Sequence, residues 1–119
     1  MQRRYKVRTN INQKLFNATL FIHSVYFTLK DGLPDEDQAR FEAGLASLAG
    51  IETVRQAYIG PPADTHRPII DRDYTHALIL AFDDAAGHDA YQEHPVHDVF
   101  RDTCSPYWAQ VRIFDVQTA

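Results

Sequence analysis

The strongest constraint on the fold is the alternation of side chains along four short segments that read as β-strands. His76 and Leu78 face one way and Ala77 and Ile79 the other, as the two-residue period of a strand requires. Two segments with helical spacing separate these strands. The predicted strands span residues 20–30, 51–60, 74–82 and 108–116, and the predicted helical segments span residues 34–50 and 84–104. The order β-α-β-β-α-β predicts an α+β domain with a ferredoxin-like fold.

Both faces of the predicted sheet are apolar, although a two-layer domain covers only one of them. The two helices can cover the face that carries His23 and His76. No remaining segment can cover the face of Ile22, Tyr26 and Phe114. A large exposed apolar patch marks an interface, and closed two-fold dimers are the commonest oligomers. We therefore expect a homodimer in which the sheets of two copies pack face to face, as a dimeric α/β barrel.

Composition and charge narrow the class of protein. The chain has 119 residues, which suits one domain. Residues 1–19 carry five basic and no acidic residues, whereas the remainder carries seven basic and sixteen acidic ones. We therefore expect a basic, poorly ordered extension over residues 1–19 and one domain over residues 20–119. Its negative charge disfavours nucleic acid as a partner.

Two further features bear on the compartment. The longest apolar run, residues 77–82, has six residues, far short of a membrane span. The single cysteine, Cys104, cannot form an internal disulfide, which fits a reducing environment. We expect a cytoplasmic protein that has no membrane partner.

Several titratable aromatic side chains are predicted to lie between the sheet and the second helical segment. Tyr91 and His97 lie on either side of Pro95, which can kink a helix and bring the two together. His23 and His76 lie on the sheet face turned toward the helices. Histidine changes its protonation near neutral pH, so His97 is a candidate general base. Tyr91 is a candidate hydrogen-bond donor to an oxyanion.

The same arrangement predicts a ligand pocket, in which His23 and His76 would orient His97 or the ligand. The predicted apolar lining consists of Val25, Phe27, Leu78, Phe100, Val111 and Ile113. Apolar walls with a few polar groups are typical of small-molecule sites. The alternative is structural: the histidines would bond backbone carbonyls and the tyrosine hydroxyl would bind near the surface.

A metal site is the competing chemical interpretation. His94 and His97 are three residues apart and Asp98 follows, but Pro95 distorts that spacing and no matching cluster supplies the other ligands that zinc requires. We therefore expect no metal and no cofactor. We expect His88 to be solvated.

Four short segments together resemble the stress-responsive dimeric α/β-barrel (Dabb) family. They are residues 23–27 (HSVYF), 73–76 (DYTH), 91–97 (YQEHPVH) and 114–115 (FD). The resemblance runs from about residue 21 to residue 116 and implies a ferredoxin-like monomer that forms a dimeric barrel. The family includes a plant polyketide cyclase whose catalytic histidine and tyrosine match His97 and Tyr91, and whose pocket histidines match His23 and His76. Arg101 departs from the family pattern, since a small residue is expected after Phe100.

The resemblance implies a stress-responsive barrel protein that binds a small apolar or polyketide-like molecule. If it is an enzyme, it would be a cofactor-independent lyase or cyclase with His97 as the base. The alternatives are a non-catalytic, stress-related or structural homodimer, and an oxygenase acting on a quinol-type substrate.

Overall fold

The computed structural model describes residues 19–118, which form a four-stranded sheet with helices on one face. The extension predicted for residues 1–19 lies outside this part, apart from Thr19. The strands are β1 (Phe21–Leu29), β2 (Val54–Gly60), β3 (His76–Phe82) and β4 (Trp108–Gln117). The helices are α1 (Asp35–Ala49), α2 (Ala85–Gln92) and α3 (Pro95–Cys104), and a 3₁₀ turn, Ser105–Tyr107, precedes β4.

The sheet has the antiparallel order β2-β3-β1-β4, so the predicted ferredoxin-like α+β fold is confirmed. Strand β1 occupies the middle of the sheet, where Val25 pairs with Leu78 of β3 and with Ile113 of β4. Residues that pair directly across an antiparallel ladder share a face. The register therefore places these three predicted lining residues on one side of the sheet.

Helix α1 covers that side of the sheet with Phe41, Leu45 and Leu48, which are at most 1% exposed. Their spacing of four and three residues forms one stripe along a helix. The acidic residues Asp35, Glu36 and Asp37 occupy the first turn, where carboxylates favour the positive end of the helix dipole.

The segment that we expected to be one helix with a kink is two helices. Pro95 is the first residue of α3 and His94 has the extended backbone, φ −71° and ψ 141°, that a residue before proline prefers. The Nδ1 atom of His94 accepts a hydrogen bond from the backbone N–H of Val96 at 3.0 Å. The proline and this cap together end one helix and begin the next.

The opposite face of the sheet carries large apolar side chains that no described element covers. Phe114 and Val116 of β4 are 55% and 51% exposed, and they pair with Ser24 and Ile22 of β1. This open face matches the predicted one. None of the helices within residues 19–118 has the length and apolar character that a membrane crossing requires.

Helix α1 approaches α3 closely at Gly44, and replacing that glycine should disturb the helix that carries His97. A Cβ atom there would lie 2.9 Å from Cδ1 of Phe100 and 3.0 Å from Sγ of Cys104. Alanine favours the helix by about 1 kcal/mol, but overpacking costs about 1–3 kcal/mol. We expect Gly44→Ala to lower the free energy of unfolding by about 1 kcal/mol, measured by urea denaturation.

Gly50→Ala is the matched control. Gly50 has a φ of −87°, and its nearest neighbour would be 3.5 Å from the new Cβ atom. We expect its effect to stay within about 0.5 kcal/mol. Equal stabilities of the two variants would contradict the close packing at Gly44.

Candidate functional site

A cavity of about 230 Å³ lies between the helix-covered face of the sheet and helices α1, α2 and α3. Its polar walls are His23, Tyr91, Gln92, His97 and Arg101. Its apolar walls are Val25, Phe27, Leu48, Leu78, Phe100, Trp108, Val111 and Ile113. A small apolar space with a few polar groups on its walls has the make-up of a ligand site.

Tyr91 and His97 meet at this cavity because the chain breaks between α2 and α3. Their ring centroids are 4.9 Å apart and the rings lie edge to face. Tyr91 is 1% exposed, and burial raises the pKa of its phenol well above the ordinary value. The phenol therefore keeps its proton at neutral pH and is able to donate a hydrogen bond.

His97 is a half-buried imidazole whose surroundings favour its neutral form. Burial lowers its pKa, and the positive charge of Arg101 lowers it further. Its Nδ1 atom is buried and has no hydrogen-bond partner within residues 19–118. A neutral imidazole can accept a proton, and the protonated phenol beside it can donate a hydrogen bond.

His23 is held in the cavity wall by the carboxylate of Asp115, which belongs to the FD segment of the family resemblance but was not predicted to be a site residue. Its Nδ1 atom lies 2.6 Å from Oδ1 of Asp115, the residue that pairs with it across β1 and β4. The His23 ring lies 5.8 Å from the Tyr91 ring, edge to face. A carboxylate partner orients an imidazole. The available signal was alternation, which places Asp115 on the same face as Val111 and Ile113.

The structure brings together nine of the ten predicted site residues. Those that line the cavity are His97, Tyr91, His23, Val25, Phe27, Leu78, Phe100, Val111 and Ile113. Their roles in catalysis or binding remain predictions.

His76 is the exception, since it lies away from the cavity. It pairs with Phe27, whereas His23 pairs with Leu80 four residues further along β3. The antiparallel register therefore places the two histidines toward opposite ends of the sheet. The Nε2 atom of His76 lies 3.0 Å from Oε2 of Glu42, and its ring packs against Phe41. His76 is therefore not among the residues that line the cavity, and its predicted role in orienting His97 or the ligand stays a prediction.

His88 is buried, contrary to the expectation that it is solvated. It is 7% exposed, stacks on Phe21 with ring centroids 4.5 Å apart, and lies 4.5 Å from the His23 ring. Burial and the nearby His23 lower the pKa of His88. It is three residues before Tyr91 on α2, and this spacing places both side chains on one helix face.

Three buried nitrogens within residues 19–118 have no hydrogen-bond partner: His88 Nε2, His97 Nδ1 and Trp108 Nε1. A buried polar atom left unpaired costs about 1–3 kcal/mol. Two of these atoms, on His97 and Trp108, belong to residues that line the cavity. The atom on His88 belongs to a side chain outside it.

The predicted alternative metal pair, His94 and His97, is not assembled. The Nδ1 atom of His94 caps α3, and its Nε2 atom lies 3.1 Å from Oε1 of Glu52. His97 turns instead toward Tyr91. Leu48, Gln92 and Trp108 also line the cavity, although no sequence pattern marked them as lining residues.

Comparisons with known proteins agree with this architecture. The family model of the stress-responsive A/B barrel domain matches residues 21–118. No curated protein matches the sequence significantly. A Dabb family protein with a ferredoxin-like fold from Mesorhizobium loti is 27% identical, with a TM-score of 0.67, and the match covers 82% of this chain and 95% of that chain.

Two more distant structures share the fold alone. A dimeric ferredoxin-like protein of unknown function from Thermobifida fusca is 20% identical, with a TM-score of 0.67 over 85% of this chain and 92% of that chain. A hydroxynitrile lyase from Passiflora edulis is 17% identical, with a TM-score of 0.70 over 84% of this chain and 94% of that chain.

Removal of the Arg101 charge should make His97 easier to protonate. Because that charge lowers the pKa of His97, we expect Arg101→Gln to raise this pKa, measured by NMR titration of the imidazole. Arg101→Lys keeps a positive charge and should leave the pKa depressed. An unchanged His97 titration in Arg101→Gln would show that the Arg101 charge does not contribute to the lowered pKa.

Proposed function

Since the chain belongs to the stress-responsive A/B barrel domain family, we propose that it is a homodimeric lyase or cyclase that binds a compact, largely apolar molecule. His97 is the general base and Tyr91 the hydrogen-bond donor. The observation that carries the proposal is the cavity in which a neutral imidazole and a protonated phenol meet among apolar walls.

The two side chains suit the cleavage of a carbon–carbon bond beside a hydroxyl group. His97 takes the hydroxyl proton, the carbon–oxygen bond becomes a carbonyl, and the electron pair of the adjacent bond leaves with the second fragment. That fragment then takes a proton from the imidazolium. Tyr91 donates a hydrogen bond to the oxygen as its charge develops. In reverse, the same steps form the bond of an aldol-type cyclisation, in which His97 removes the proton alpha to a carbonyl.

The cavity supports a small substrate. Its volume of about 230 Å³ is below the range of roughly 300–1,000 Å³ typical of drug-sized ligands. Arg101 lies in its wall, where the family resemblance implies a small residue. A compact substrate therefore fits better than a long polyketide-like chain.

The similarity to a hydroxynitrile lyase supports the same class of chemistry. Splitting a hydroxynitrile yields a carbonyl compound and hydrogen cyanide, which requires a base for the hydroxyl proton. Because the identity is 17%, the transfer of this activity rests on His97 and Tyr91 rather than on the fold.

The homodimer is supported by the open face of the sheet. Tyr58, Phe114 and Val116 expose more than half of their surface, and Tyr26 packs edge to face on Phe114 at 6.0 Å. Apolar patches of this kind mark interfaces. The similar protein from Thermobifida fusca is dimeric.

Catalysis is tested with a panel of compact hydroxynitriles, including mandelonitrile, and β-hydroxy ketones, with release of the carbonyl product as the readout. We expect His97→Asn to lower kcat/KM by roughly 10²- to 10⁴-fold, as loss of a general base does. Tyr91→Phe should lower it by roughly 10²- to 10³-fold, because it removes only the hydroxyl donor.

His66→Asn is the control for general effects of losing an imidazole. His66 is exposed in the β2–β3 connection, so this substitution should leave activity unchanged. The proposed catalysis would be refuted if the wild type released the carbonyl product no faster than His97→Asn and if no compound shifted the NMR signal of His97. A non-catalytic dimer would then remain.

The dimer is tested by placing a charge on the open sheet face. We expect Phe114→Asp to convert a dimer of twice the 13.6 kDa chain mass into a monomer, because an unpaired carboxylate is costly to bury. Light scattering after size-exclusion chromatography measures the mass. Val99→Asp is the matched control, since Val99 is 63% exposed on α3. A monomeric wild-type protein would contradict the proposal.

A further inference from the structure

Three ligand-type side chains from three different elements converge behind the cavity. His23 lies on β1, His88 on α2 and Asp115 on β4. Each offers one nitrogen or oxygen atom, and these atoms all lie within 4.8 Å of one another. We propose that His23, His88 and Asp115 bind a divalent transition-metal ion of the zinc class.

The chemistry of the three side chains fits such an ion. Imidazole nitrogen and carboxylate oxygen are ordinary ligands of zinc, at about 2.0–2.2 Å. Ligand atoms around a tetrahedral ion at these bond lengths lie about 3.4 Å apart. The outermost pair therefore has to close by at most about 1.4 Å, a distance within the reach of side-chain rotation. The Asp115 side chain, 41% exposed, can make that movement, and its 2.6 Å contact with His23 Nδ1 would open as the ion takes the place of the hydrogen bond.

His88 is the observation that points to a ligand. Its side chain is more than nine-tenths buried, and its Nε2 atom has no partner within residues 19–118. Phe21 stacks on one face of the ring and Tyr91 lies parallel to it at a centroid distance of 6.1 Å. These rings hold the imidazole in place without satisfying its polar atom. A bound ion would account for a histidine in an otherwise aromatic environment.

The cluster lies beside the cavity and shares one residue, His23, with its wall. His23 lines the cavity, whereas His88 and Asp115 do not. The exposed carboxylate of Asp115 gives an ion access from solvent. Three protein ligands leave a fourth position open for water, as in catalytic rather than structural zinc sites. The ion would fix the orientation of His23, and its binding does not depend on the proposed lyase activity.

The structural alternative is that His23 and Asp115 form only a hydrogen-bonded pair beside a buried histidine. The two interpretations differ in one measurable property, which is saturable binding of one ion per chain that requires both His88 and Asp115.

The experiment titrates Co²⁺ and then Zn²⁺ into the full chain, prepared without an affinity tag and treated with a chelator. Isothermal calorimetry gives the stoichiometry and the Kd, and the visible absorption of Co²⁺ reports its coordination. We expect one ion per chain. Asp115→Asn and His88→Leu should each weaken binding at least tenfold.

Two controls address surface binding. Asp83→Asn removes an exposed carboxylate that pairs with Arg55, and His66→Asn removes an exposed imidazole that pairs with Asp64. Both should leave the Kd unchanged. Absence of one-to-one binding, or binding that is not weakened in Asp115→Asn, would overturn the proposal. Binding that is lost in His66→Asn would place the ion at the surface instead.

His88→Leu changes a buried residue and can impair folding, so Asp115→Asn also decides the outcome alone. In the wild type, diamagnetic Zn²⁺ should shift the imidazole NMR signals of His23 and His88 and leave that of His76 unchanged. Shifts confined to His66 or His94 would refute the site even if the protein binds an ion.

Discussion

Strand β1 pairs with β3 on one side and with β4 on the other, and this double pairing determines which side chains can meet. Its register sets His23 opposite Asp115 and Val25 opposite both Leu78 and Ile113. A shift of one residue would turn every one of these side chains to the other face. The cavity therefore depends on the register of the central strand as much as on the helices that cover it.

The order of elements could be predicted from the sequence because it depends on local patterns. Alternation along the strands and the stripe of Phe41, Leu45 and Leu48 on α1 are periodic signals that hold in the folded protein. Pro95 correctly located the break in the second helical segment. Whether that break is a kink or a boundary between two helices depends on the cap that His94 supplies. That cap depends on a side-chain orientation that no local pattern encodes.

The candidate site was partly predictable for the same reason. Alternation identifies the face of a strand but not the position along it, so His23 and His76 shared a predicted face while lying toward opposite ends of the sheet. His88 was misassigned because Asp89 and Gly87 surround it with residues typical of a surface. Its burial arises from the packing of Phe21 of β1 against α2, a contact between residues distant in the chain.

The proximity of Arg101 to His97 has a consequence for what happens when the cavity fills. The guanidinium charge lowers the pKa of His97 and lies in the wall of the same space. A molecule that brings a negative charge to Arg101 offsets that effect, since opposite charges nearby favour a protonated imidazole. His97 would then become a stronger base only while such a molecule is bound, so that occupancy itself would tune the basicity of the site.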